Sequence, residues 1–151
     1  MSCWGTRRNC LSSFQILFMQ AAQLAKAYKT AAVSTQSPGA IILMMMDGAL
    51  ACMDNAIEGF TVEVVARRNE TVHNNLTKAY QILAVLQAAL DLDVEGEFPQ
   101  QMHALYEFMM SELMRANLQK VEEPVRVVRD LFREIRDAWN EMLRQEMAAG
   151  Q

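Results

Sequence analysis

Apolar residues recur three and four positions apart through four separate stretches of this chain, and that spacing leaves room for little besides helices. Ile42, Met45, Ala49, Met53, Ala56 and Phe60 mark the first stretch, and Val72, Leu76, Ala79, Leu83, Leu86 and Leu90 the second. Met102, Leu105, Tyr106, Met109, Leu113 and Ala116 make the third; Val128, Leu131, Phe132, Ile135, Ala138, Trp139 and Met142 make the fourth. At about 3.6 residues per turn, each set falls on one side of a helix. Ser37 before Pro38 reads as a helix start, because the hydroxyl can cap and proline suits the first turn. Pro124 does the same for the last stretch. The segment 61–65 reads as a connection or the start of the next helix, the acidic run 91–98 as a loop ending at Pro99, and 117–123 as a polar break. The pattern predicts an all-α fold, an antiparallel four-helix bundle with a short N-terminal arm or cap segment.

Other classes fail on composition. Six Gly and three Pro in 151 residues are too few for the turns of a sandwich or barrel. With 52% hydrophobic residues the chain is not a disordered one. One domain is expected at this length. Three Cys make no disulfide framework and suit a reducing compartment. The four cations Arg7, Arg8, Lys26 and Lys29 precede the first acid, Asp47, so the 10 basic and 18 acidic residues that follow leave the body at −8. Such a body argues against nucleic acid as a partner. The expected division is an N-terminal extension over 1–20, a cap-like arm over 21–37 and the bundle over 38–147.

Catalytic and metal chemistry find no foothold. Glu70 and His73 form one Glu-x-x-His pair, but a di-metal bundle needs two, and His103 follows Gln100 rather than a glutamate. Cys3 and Cys10 lack ligand spacing, and Cys52 sits near an apolar stripe, where a thiol is inert. Gly48 implies close packing or a kink, not a phosphate loop. Asn69 and Asn75 begin glycosylation patterns that fall on a predicted helix. The segment 6–11 resembles a twin-arginine signal, yet Gln15, Gln20 and Gln23 interrupt the apolar stretch that should follow. The longest wholly apolar run elsewhere, 40–46, is too short to span a bilayer. No enzyme, cofactor or metal is expected, and no stable membrane insertion.

An ordered series of residues resembles the flagellar export chaperone family, FliS. It runs through Ala27-Tyr28-Lys29-Thr30, Thr35-Gln36-Ser37-Pro38, Ile42-Leu43-Met44 and Asp47-Gly48-Ala49, then Lys78-Ala79, Ile82-Leu83 and Leu90-Asp91. Gly96-Glu97, Leu105-Tyr106, Phe108-Met109, Ala116-Asn117 and Ala138-Trp139 complete it, so the likeness covers about residues 27 to 143. Two positions depart. Met45-Met46 stands where the family usually has Leu-Tyr, and residues 1 to about 18 exceed the usual family start, which makes Met19 the expected start.

The resemblance implies a cytoplasmic chaperone that binds the C-terminal segment of flagellin, prevents premature polymerisation and delivers it to the flagellar type III export apparatus, with the export gate as a further partner. Such cargo exposes an apolar stripe, and a helix-in-groove surface would cover it. The chain has apolar residues to spare, with twelve Met beside two Trp, three Tyr and six Phe. The run Ile41–Met46 cannot all face one core, and Met109-Met110 and Leu113-Met114 widen the third stripe. Methionine suits a surface that must repack around imperfect partners. Ile42, Met45, Met46, Leu105, Met109 and Met110 are therefore expected to line the flagellin groove, and Phe14, Leu17, Leu24 and Tyr28 to form the cap segment. Leu83, Phe132 and Trp139 are expected in the core. The competing reading is a self-associating structural bundle without cargo, against a monomer or weak homodimer for the chaperone.

Overall fold

The computed structural model describes residues 37–150, and among them the regular elements are four helices: α1 (Pro38–Gly59), α2 (Val65–Ala88), α3 (Phe98–Gln119) and α4 (Glu123–Ala149). Their connections are short: residues 60–64, 89–97 and 120–122. Each helix therefore turns back against the one before it. α1 packs on α2 and α4, and α3 packs on α2 and α4, which makes a four-cornered antiparallel bundle.

Local chemistry sets the ends. The Ser37 hydroxyl accepts the Ala40 amide at 3.3 Å, with Pro38 in the first turn, as the sequence predicts. α2 starts at Val64 without a side-chain cap, while the Arg68 guanidinium reaches back to the Val62 carbonyl at 3.4 Å. α3 runs three residues into the expected polar break. It stops where Lys120 turns left-handed (φ 54°) and Val121 donates its amide to Ala116 O at 3.2 Å.

The predicted stripes meet at the centre. Phe132, Met53, Leu76, Leu83, Met109 and Leu113 are among the fully buried side chains, and none of the described buried residues is polar or charged. Tyr106 crosses Phe132 edge to face, with ring centroids 6.4 Å apart. Trp139 is half-buried and packs against this core, and its indole N–H donates to the Gly39 carbonyl at 3.0 Å.

α1 has the length and mean hydropathy, 1.5 over its most apolar window, of a membrane-crossing helix, yet two aspartates fix it in the bundle. Asp47 receives Arg136 at 2.7 and 3.4 Å, and Asp54 receives Arg129 at 3.0 Å and Arg133 at 3.6 Å, all from α4. Only 33% of that α1 window is buried, so an apolar outer face remains, with Met44 51% exposed.

Candidate functional site

The seam between α2 and α3 carries a concavity with both an apolar floor and a polar rim. Along α2, His73, Thr77, Tyr80, Ala84 and Gln87 step by three and four beside the buried Leu76 and Leu83, and so edge the seam. On α3 the matching edge is His103, Glu107, Met110, Met114 and Asn117. Antiparallel packing sets the two rows in opposite order.

Side chains bridge the seam at both ends. His73 Nδ1 and Asn117 Nδ2 lie 3.1 Å apart, and Lys120 Nζ donates to Asn117 Oδ1 at 2.5 Å. Since the Asn117 oxygen is taken by the ammonium, its amide nitrogen faces the imidazole. At the far end Gln87 Nε2 donates to Glu107 Oε1 at 2.8 Å and to the His103 carbonyl at 3.2 Å. Between the bridges lies a cavity of about 170 Å³ lined by Leu76, Thr77, Tyr80, Leu113, Met114 and Asn117. Its outer lip is apolar: Met114 is 49% exposed, and Leu118 on the same flank of α3 is 79% exposed. Partial burial lowers the ammonium pKa of Lys120 from its ordinary value.

The residues expected to line the groove divide into two sets. Met46, Met109 and Met110 are buried in the core at 4%, 0% and 6% exposure, which corrects their expected outward placement. The exposed methionines are Met44, two residues before Met46, and Met114, one turn beyond Met110. Ile42, Met45 and Leu105 are half-buried and packed against the core. These six lie on α1 and α3, which occupy opposite corners of the bundle, so no single groove gathers them. Phe14, Leu17, Leu24 and Tyr28 lie outside the described residues.

Thr77 and Tyr80 were invisible to the stripe pattern because they flank it, next to Leu76 and Ala79. The seam does use His73, but as a hydrogen-bonding partner of Asn117 rather than with Glu70 as a ligand pair. No cluster of three potential metal ligands occurs among the described residues. Cys52 is half-buried, and burial pushes its thiol pKa up against the opposing pull of Lys78. Gly48 sits in regular helix, and its close neighbour is Ile82 on α2.

Residues 20–146 match the family model described as flagellar protein FliS. The chain belongs to that family. Curated relatives bear the name flagellar secretion chaperone FliS. The Escherichia coli protein is 31% identical over 130 residues, which cover 83% of this chain and 93% of the relative. The Bacillus subtilis protein is 29% identical over 120 residues, covering 80% and 86%. The resemblance seen in the residues is thus that of a family of chaperones in flagellar biogenesis and export, built as an all-helical bundle.

Proposed function

We propose that this FliS-family chain is a cytosolic export chaperone. It binds the C-terminal helical segment of flagellin, keeps it from polymerising early, and hands it to the flagellar type III export apparatus at the export gate. The domain that does so is 38–147. The observation that carries this reading is the α2–α3 cavity with the exposed Met114 and Leu118 beside it. An apolar surface of this kind marks an interaction site, and a flexible thioether adapts to cargo that arrives without fixed structure. No chemistry is needed, since binding alone covers the cargo's apolar stripe.

The arm before residue 37 has a place in the same proposal. Phe14, Leu17, Leu24 and Tyr28 cover apolar surface until cargo arrives, so that the free chaperone stays soluble. Deleting residues 1–30 then raises dye binding to exposed apolar surface and tightens cargo binding; no change in either removes this role for the arm.

Light scattering tests the main proposal. A monomer or weak dimer that forms a 1:1 complex with the flagellin C-terminal segment is the expected result. A stable oligomer that ignores flagellin would instead support the self-associating bundle, with the outer face of α1 as its contact.

A further inference from the structure

We propose that Met114 is a redox-sensitive modification site: oxidation of its thioether to the sulfoxide by a peroxide closes the α2–α3 cavity to apolar cargo, and reduction reopens it. This regulation rests on the flagellin reading for what the cavity binds, and on the placement of the methionines for the rest.

The described methionines fall into two populations. Met53 and Met109 are fully buried and Met46 and Met110 nearly so, whereas Met44, Met114, Met142 and Met147 are exposed. Met45 and Met102 lie between, half-buried against the core. A thioether is oxidised where the oxidant reaches its sulfur, so a dose exists that converts the exposed set and spares the buried one. The separation matters because a sulfoxide is polar, and one formed at Met53 or Met109 would sit uncompensated in the core. The bundle therefore survives a treatment that alters its surface.

Position then decides which exposed methionine counts. Met44 is on α1, and Met142 and Met147 are on the second half of α4. Of the four, Met114 lines the α2–α3 cavity. Thr77, Tyr80 and Asn117 already bring polar groups to the mouth, so the Met114 thioether is the apolar part of the lip above the floor of Leu76 and Leu113.

The step exchanges one oxygen atom and two electrons. A lone pair on the Met114 Sδ attacks one oxygen of the peroxide, the O–O bond breaks, and the other oxygen leaves as water. Sulfur is oxidised and the peroxide reduced. In the return step two thiols of a sulfoxide reductase become a disulfide, and the sulfoxide oxygen departs as water. While present, that oxygen is a strong acceptor that holds water at the mouth. An apolar side chain entering the cavity has to strip this water without replacing its hydrogen bond.

The test treats the full chain with graded hydrogen peroxide. Peptide mass spectrometry reads the sulfoxide at each methionine, circular dichroism reads helicity and melting, and titration reads affinity for the flagellin C-terminal segment. Met114 should oxidise well before Met53 and Met109, helicity should hold, and affinity should fall about tenfold, as burial of an uncompensated polar group requires. Methionine sulfoxide reductases with dithiothreitol should restore it; dithiothreitol alone, which reverses disulfides, should not. Met114→Leu, whatever its own starting affinity, should lose nothing further at the same dose. The triple variant Met44→Leu, Met142→Leu, Met147→Leu keeps Met114 and should lose affinity as the wild type does, which carries the test if Met114→Leu binds too weakly to compare. Unchanged affinity of the oxidised wild type or triple variant, an equal loss in Met114→Leu, or oxidation of Met109 in step with Met114 overturns the inference while the flagellin reading stands. Failure of the untreated chain to bind the segment overturns that reading and this inference with it.

Discussion

The indole N–H of Trp139 donates to the carbonyl of Gly39 at 3.0 Å and ties the second half of α4 to the first turn of α1. The two residues are a hundred positions apart. Leu143, one turn further along α4, lies so near Gly39 that an added Cβ would meet its Cδ2 at 2.5 Å. The Leu143 side chain thus packs into the space that a glycine leaves open, and the tryptophan bonds to the backbone beside it. Trp139→Phe should keep most of the packing and lose the hydrogen bond, a destabilisation of about 0.5–1.5 kcal/mol. Urea unfolding followed by circular dichroism measures it.

Gly48 offers the opposite case. It sits in the middle of α1, where glycine costs about 0.8–1 kcal/mol relative to alanine. An added Cβ would meet Ile82 Cδ1 at 3.8 Å, an ordinary contact. Gly48→Ala should therefore raise stability by about 0.5–1 kcal/mol. Gly59→Ala should bring no such gain, because its Cβ would lie 2.9 Å from Thr71 Cγ2. The two midpoints, measured side by side, check the contrast.

Burial pushes the Tyr106 phenol pKa up to about 12. An exposed phenol in the unfolded chain ionises near pH ~10. The unfolded state thus loses its proton first, and the stability that depends on a neutral Tyr106 is complete below pH ~10 and lost as the pH rises through about 12. Helicity should fall across that window together with the near-ultraviolet signal of tyrosinate. In Tyr106→Phe this part of the loss should be absent.

Neighbouring methionines on α3 should respond differently to the same substitution. Met109 is fully buried, and Met109→Asp places an unpaired carboxylate in the core, at a cost of about 3 kcal/mol or more. Thermal unfolding should show a collapse of the transition. Met114→Asp, on the exposed lip, should leave melting within about 0.5 kcal/mol of wild type.

That contrast also shows how far the sequence could be read. The four stripes, the Ser37–Pro38 start and the all-α bundle are legible because periodicity and caps are local properties of the chain. The end of α3 is less so: Asn117 looks like a breaker, yet its side chain crosses to His73 and the helix continues to Gln119. The groove is least legible. The Met44–Met46 and Met109–Met110 runs reveal that an apolar excess exists, but which member faces inward depends on where α2 and α4 lie. Those neighbours place Met46, Met109 and Met110 inside and leave Met44 and Met114 out. Thr77 and Tyr80 enter the site only through the register of α2 against α3, which no single stripe encodes.

Titration calorimetry of the flagellin C-terminal segment into the full chain, beside the Met114→Asp variant, tests the central claim most directly. The account predicts saturable 1:1 binding to the wild-type chain and at least a tenfold weaker affinity for the variant, with unchanged helicity and melting. Absence of binding to the wild type would contradict the chaperone reading, and equal affinity for both would contradict the groove.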